Sequence, residues 1–166
     1  MKKSLAWSAL FLAVALGGCE TTADRGARLP EGATVTRFHL GQPIARGEIR
    51  VEPSSEAAAS PDFAQEQAAV GRELARLGWT VLPAKTTTEQ VALVRLNQNN
   101  RPGGGLVTEL RVRIQRRSDA TVAWEGRAET ETRAGSAADR AALVDRLAAA
   151  LFRDFPGESG RTIRVR

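Results

Sequence analysis

The 166-residue chain has one cysteine, Cys19, and one histidine, His39. A single thiol excludes an internal disulfide, and a lone imidazole with no second His or Cys beside it leaves no zinc-type ligand set. The serines lie in no Gly-x-Ser-x-Gly elbow, and there is no second histidine to serve one of them. Gly103-Gly104-Gly105 is followed by a strand pattern and not by Gly-Lys-Ser and a helix, so it reads as a hairpin loop and not as a phosphate cradle. Lysine is scarce after Lys2 and Lys3: only Lys85 remains, and the other basic residues are arginines. With the many Ala and Gly, this bias fits a GC-rich coding sequence better than a polyanion site. No segment reaches the roughly 20 apolar residues that a membrane-spanning helix requires.

What is present begins at the amino end. Met1-Lys2-Lys3 is followed by the apolar run Ser4–Leu16 and then by Leu16-Gly17-Gly18-Cys19. A cationic start, a core within the usual range of about 7–15 residues, small residues and a cysteine form a bacterial lipoprotein signal. Residues 1–18 are therefore expected to be removed, with Cys19 lipidated. Two or three acyl chains anchor stably, at about 0.8 kcal/mol per buried methylene. Glu20, in place of an Asp after the cysteine, points to the outer membrane. Loss of Lys2 and Lys3 lowers the net charge from +5 to +3. Residues 19–33, polar and containing Gly and Pro, read as a tether. Residues 34–166 suit a single domain.

Within that domain Val35–Leu40 and Gly47–Pro53 have strand composition. Ser60-Pro61 reads as the cap and first residue of a helix. Phe63, Val70, Leu74 and Leu77 form its apolar stripe, with Ala64 and Ala68 nearby and Glu66, Arg72, Glu73 and Arg76 turned away. Gly78 ends it, and the strand Trp79–Leu82 follows. Residues 91–96 are almost wholly apolar and predict an interior strand covered on both faces; 97–105 read as a loop. A second helix starts at Ser136 with Asp139 as a capping pair and presents Val144, Leu147, Leu151 and Phe155, with Ala148 and Phe152 beside them. Pro156-Gly157 ends it, and Thr162–Val165 is a short final strand.

Between the loop and the second helix lie two alternating strands. Thr108, Leu110, Val112 and Ile114 point inward from the first, and Val122, Trp124, Gly126 and Ala128 from the second. A three-residue turn flanked by 116 and 120 would set Ile114 against Val122 and Val112 against Trp124. Outside, Arg111 would meet Glu125 and Glu109 would meet Arg127. A slip of two residues would instead oppose Arg111 to Arg127 and Glu109 to Glu129. Cross-strand pairs contribute roughly 0.2–1 kcal/mol each, so charge predicts the first register. The fold class expected is α+β: a largely antiparallel sheet of about five or six strands with two helices on one face.

Val35-Thr36-Arg37-Phe38-His39, Ile49-Arg50-Val51-Glu52-Pro53, Glu73-Leu74-Ala75-Arg76-Leu77-Gly78, Trp124-Glu125-Gly126-Arg127-Ala128 and Leu151-Phe152-Arg153-Asp154-Phe155-Pro156-Gly157-Glu158-Ser159-Gly160 together resemble the bacterial lipoproteins called domain of unknown function 4136. The resemblance covers residues 34–166, and its most specific piece is the Phe-Pro-Gly-Glu-Ser-Gly ending. Many members carry a long Gly-rich segment before the hairpin, here reduced to Asn99–Gly105. The resemblance implies an envelope lipoprotein with no assigned activity, cofactor or catalytic residue.

The chain is accordingly expected to be no enzyme and to need no cofactor or metal. His39 reads as a strand-face histidine, and Glu125 and Glu129 as solvated charges alternating with arginine. The function expected is a structural or protein-interaction role at the periplasmic face of the outer membrane. The alternative is a binding or carrier module for a lipidic or peptide ligand lying between helices and sheet. Nucleic acid is not an expected partner; the membrane, through Cys19, and an envelope protein are. Arg111, Arg113, Arg116 and Arg117 form the densest positive cluster, and Ile163, Arg164 and Val165 an edge beside it. These seven residues are the candidate partner surface. Mass spectrometry of the mature amino terminus should find an acylated Cys19, and Cys19→Ser should leave the chain unprocessed or soluble; an unmodified terminus elsewhere would remove the localisation argument.

Overall fold

The computed structural model describes residues 32–54, 62–102, 105–132 and 137–166. The signal segment 1–18, Cys19 and the helix starts read at Ser60-Pro61 and Ser136 lie outside these residues. Among the described residues seven strands and two helices follow in the order β1 (Ala33–Phe38), β2 (Glu48–Pro53), α1 (Phe63–Arg76), β3 (Thr80–Val81), β4 (Gln90–Arg101), β5 (Gly105–Arg116), β6 (Val122–Thr132), α2 (Ala137–Phe152) and β7 (Thr162–Val165). Ala33, read as the last tether residue, opens β1 and is buried. Among the described residues no helix is long and apolar enough to cross a membrane.

The strands form one sheet in the order β3-β2-β4-β5-β6-β1-β7. Both helices pack on the same face, α1 over β2–β4 and α2 over β5, β6 and β1, and they touch each other. The α+β class and the one-sided helices therefore hold. Two expectations do not: there are seven strands, and the sheet is mixed, because β2 runs parallel to both β3 and β4. The cause is visible in the connections. A strand, a helix and a strand in sequence return the chain parallel to where it left, and β2-α1-β3 is such a unit. The segment after β3 then crosses to the other side of β2 and starts β4 in the same direction.

The predicted loop at 97–105 is mostly strand. Asn97–Arg101 continue β4 and pair with Gly105–Glu109 in a long hairpin. The expected cover on both faces of 91–96 reaches Val91, which is buried although it alternates away from the helices, while Leu93 and Arg95 are only half-buried. Helix α2 stops at Phe152, so Phe155 lies beyond it and enters the core from a turn.

The β5–β6 register departs most instructively. Ile114 faces Trp124, Val112 faces Gly126, Arg111 faces Arg127 and Glu109 faces Glu129. This is the two-residue slip that charge disfavours, and it is built from two single-residue offsets. The turn is one residue longer than read: Arg116 N–H bonds the Thr121 carbonyl at 2.9 Å, with Ala120 at φ +56° and Asp119 Oδ1 accepting from Thr121 N–H at 3.0 Å. A bulge between Ile114/Gln115 and Trp124/Val122 adds the second. Val122, read as inward, consequently opposes Gln115 and is exposed.

Inner-face packing outweighs the outer-face charges. Trp124 is fully buried, stacks on Phe152 at 5.3 Å, touches Phe155 at 5.2 Å and donates from Nε1 to the Pro156 carbonyl at 3.0 Å. Burying such a ring contributes about 4–6 kcal/mol as an upper estimate, against tenths for each charge pair. The ring lies along its own strand over Gly126, where a Cβ would fall 2.4 Å from Trp124 Cη2 and 2.9 Å from Leu151 Cδ1. Trp124→Ala should cost about 3–5 kcal/mol and Gly126→Ala about 1–3 kcal/mol by overpacking in urea unfolding; an unchanged midpoint for either would show that the ring is not seated on Gly126.

Candidate functional site: the outer sheet face and the terminal edge

The face of the sheet away from the helices is polar. Strand alternation places Arg95 and Asn97 of β4, Glu109, Arg111 and Arg113 of β5, and Glu125, Arg127 and Glu129 of β6 there. Arg113 Nε bonds Glu125 at 3.0 Å across the strands. Arg111 Nη2 reaches Glu109 at 3.3 Å along its own strand. Arg116 pairs with Asp119 at 2.8 Å and lies 3.9 Å from Glu89.

Arg117 is built in most firmly. Its Nη2 meets Glu52 at 2.5 Å and its Nε donates to the Thr88 carbonyl at 3.0 Å. Arg50 grips the same Glu52 carboxylate and donates to the Thr86 carbonyl at 2.8 Å. Burial by itself would raise the Glu52 pKa. The hydrogen bond and charge of Arg117, joined by those of Arg50, reverse this and hold the carboxyl below its ordinary value. Arg50 and Arg117 thus fasten the β3–β4 connection to the outer face, and this pair of arginines is structural.

The terminal strand is an edge of the sheet among the described residues: there β7 pairs with β1 alone and closes one end of the sheet. It is not beside the arginine cluster, because β6 and β1 stand between β5 and β7, about 14 Å at the usual strand spacing. Arg164 is exposed on the outer face, Ile163 is half-buried, and Val165 is buried opposite Ala33. The seven candidate residues therefore split into a paired cluster on β5 and its turn, and a separate edge.

His39 and the Phe-Pro-Gly-Glu-Ser-Gly segment come together at the end of β1. His39 Nε2 faces the Gly157 carbonyl at 3.0 Å, and Nδ1 accepts from Gly41 N–H at 3.1 Å. Both ring nitrogens are engaged, which assigns the neutral Nε2–H tautomer. Ser159 Oγ accepts from His39 N–H at 3.0 Å and donates to the His39 carbonyl at 2.9 Å. Gly160 N–H bonds the Arg37 carbonyl at 2.8 Å.

Arg37 itself is 3 % exposed. Its guanidinium donates to the carbonyls of Leu151 at 2.9 Å, Ala150 at 3.0 Å and Arg153 at 2.9 Å. These are carbonyls at the end of α2, whose last turn holds no basic residue of its own. Burial lowers the Arg37 pKa, with Asp154 opposing and Arg153 adding to the shift. Gly157, at φ +76°, leaves the room it needs: a Cβ there would sit 2.7 Å from Arg37 Cδ. The Phe155–Gly160 segment thus closes the core around Arg37 and Trp124.

Glu66 is the residue that periodicity misplaced. Periodicity turns it away from the stripe, yet it is 3 % exposed, while Ala64 and Ala68 are exposed. Helix α1 is covered by the sheet on one side and by α2 on another, so its buried arc is wider than its aliphatic stripe and takes in Glu66 and Ala69. Glu66 Oε1 has no hydrogen-bond partner among the described residues. Burial raises its pKa above the ordinary 4.5; Asp62 adds to this and Arg140 opposes it.

The space between helices and sheet is filled by fully buried side chains, among them Trp124, Phe152, Leu74 and Leu110. One cavity of about 300 Å³ lies at the strand ends, lined by Leu40, Ile44, Gln90, Ile114, Arg116 and Val122 among others. Another of about 300 Å³ lies on the helix surface beside the Arg72–Asp145 pair. Among the described residues no group of three or more His, Cys, Asp or Glu is placed to hold a metal ion.

No family model matches this chain. It is 45 % identical over 60 residues to an uncharacterized protein of Zymomonas mobilis, a match covering 36 % of this chain and 23 % of that one. The chain thus spans under a quarter of the curated relative it matches. Among solved structures it resembles a PDZ domain protein from Parabacteroides distasonis, at 11 % identity and a TM-score of 0.54, over 78 % of this chain and 37 % of that one. Looser likenesses are to the PelC dodecamer of Paraburkholderia phytofirmans (16 % identity, TM-score 0.48, 70 % and 92 % covered) and to a minor lipoprotein from Acinetobacter baumannii (12 % identity, TM-score 0.36, 64 % and 89 % covered). Structural neighbours thus include lipoproteins, and at these identities the likeness describes the fold alone.

Glu66 makes a pH-dependent prediction. A carboxyl whose folded pKa is raised favours the folded state at low pH and opposes it once ionised, so its contribution falls as pH rises from the ordinary glutamate range through the raised value. Glu66→Gln should therefore gain roughly 1–3 kcal/mol over the natural protein at pH 8 and little at pH 4, in urea unfolding at both. An equal difference at the two pH values would show that Glu66 does not titrate against burial.

Proposed function

We propose that the chain is a lipid-anchored envelope lipoprotein, held at the periplasmic face of the outer membrane through Cys19, with a structural or protein-interaction role and no catalysis. The lipoprotein signal ending at Cys19 and the resemblance to the domain of unknown function 4136 lipoproteins support the address. The observation that carries the interaction role is the edge position of β7, which among the described residues pairs with β1 alone: a strand paired on one side offers its outward backbone groups to an incoming strand. Arg164, exposed on that strand, would select the partner by charge. The non-catalytic reading is supported by the use made of the ionisable groups. His39 has both ring nitrogens engaged, the Ser159 hydroxyl is spent on the His39 backbone, and Glu125 is held by Arg113.

A carrier role is the second reading. Its support is the cavity at the strand ends, where Leu40 is 82 % exposed and Val122 37 %, and no longer a space between helices and sheet.

A photo-crosslinking residue at Arg164 of the lipidated protein should give one discrete protein adduct, competed by unlabelled protein. The same residue at Arg72 on the helix surface should give none, and Cys19→Ser should abolish the Arg164 adduct. Equal adducts at both positions would remove the edge from consideration, and a small apolar molecule lost on Leu40→Glu would establish the carrier instead. Turnover of an envelope substrate that disappears in His39→Ala would overturn the non-catalytic reading.

A further inference from the structure

The register of the central strands sets Arg95 opposite Arg111 and Arg111 opposite Arg127, a row of three arginines across β4, β5 and β6 on the outer face. Neighbouring strands are about 4.8 Å apart, and like charges directly opposite one another destabilise a sheet. The turn, the bulge and the seating of Trp124 explain why positions 111 and 127 are neighbours. They do not explain why both are arginine, since a carboxylate at 127 would satisfy Arg111 in the same register. A local rule broken without compensation marks a functional position.

Two further observations point the same way. Arg111 Nε is buried with no hydrogen-bond partner among the described residues, and its contact to Glu109 is long, at 3.3 Å. Arg127 is exposed and has no hydrogen bond or ion pair among the described residues. Arg95 flanks them, tied at Nε to Asn97 Oδ1 at 2.9 Å. On the other side the row continues into the hydroxyls of Thr36, opposite Arg127, and Thr162, which bond each other at 2.8 Å.

We propose that Arg111 and Arg127, with Arg95 alongside, form a site for a phosphate group. Two adjacent guanidinium groups match a dianion, and a phosphate monoester carries about −1.5 to −2 at neutral pH. Guanidinium forks bind such oxygens bidentately. The neighbouring rows define the size of the ligand. Glu109 and Glu129 stand on one side and the Arg113–Glu125 ion pair on the other, so the row has room for a single narrow oxyanion. The site rests on the register and on the unpartnered groups of Arg111 and Arg127, and is independent of the lipid anchor.

The test uses the full chain carrying Cys19→Ser, titrated with inorganic phosphate at constant ionic strength while the Arg Nε–H resonances are followed by NMR. A saturable shift of Arg111 Nε–H, weakened at least about tenfold in Arg127→Gln, supports the site. Arg127→Glu should abolish the shift and raise the melting temperature by about 1–4 °C, because it replaces a like-charge pair by an ion pair. The same shift with chloride, or one unchanged in Arg127→Gln, overturns the proposal; an equal response to acetate overturns the assignment to phosphate. Vesicles of phosphatidic acid in phosphatidylcholine, competed by free phosphate, separate the sources. Binding to them assigns a lipid headgroup, and phosphate binding without vesicle binding assigns a soluble phosphate, both on the same site.

Discussion

The packing of α2 onto the sheet depends on one buried cation. The guanidinium of Arg37 leaves β1, crosses the core side of the sheet and takes three carbonyls at the end of α2. The end of a helix is the negative end of its dipole and leaves carbonyls without helical partners. A cation placed there answers both needs. Desolvating it costs several kcal/mol, and each charge-assisted bond returns about 1.5–3 kcal/mol. Such a group is favourable only when all its bonds are made. That requirement reaches outward: Gly157 must lack a side chain, Gly160 must bond the Arg37 carbonyl, and the chain just before Gly157 must turn so that the Pro156 carbonyl receives the Trp124 indole. The aromatic cluster of Trp79, Trp124, Phe152 and Phe155 is assembled around this turn.

The outer face is organised by what the inner face demands. Seating Trp124 over Gly126 and beneath α2 decides which residues of β5 and β6 are neighbours, and the charges must accept the outcome. Arg113 and Glu125 are paired by it; Arg111 and Arg127 are set against each other. Arg50, Glu52 and Arg117 form a different kind of cluster, complete in itself and fastened to backbone carbonyls. The distinction between satisfied and unsatisfied arginines separates structural charge from charge left available for a ligand. Count and density do not make it: the densest stretch, Arg111 to Arg117, contains both kinds.

Much of the fold was legible locally. The alternation of Leu110, Val112 and Ile114 against Glu109, Arg111 and Arg113 assigned the two faces of β5 correctly. The run Val144-Leu147-Leu151 assigned the buried side of α2, and the final strand was recognised as an edge. Periodicity works at these points because it reports which residues of one element share a face. It failed at Glu66 because two neighbours cover α1, and at Val122 because a bulge resets the alternation. The loop assigned to 97–105 failed because Asn and Arg at the far end of a long hairpin need only backbone partners and solvent to remain in a strand.

The sequence by itself determined the element order and the apolar positions that must be buried, because these depend on contacts within one element. The tertiary structure alone decided the parallel pairing of β2, the register of β5 on β6, the burial of Arg37 and Glu66 and the row of arginines. Each of these is an offset or a meeting between segments distant in the chain. Its energy comes from filling space around Trp124 and satisfying carbonyls at the end of α2, and neither quantity is defined until the layers have packed.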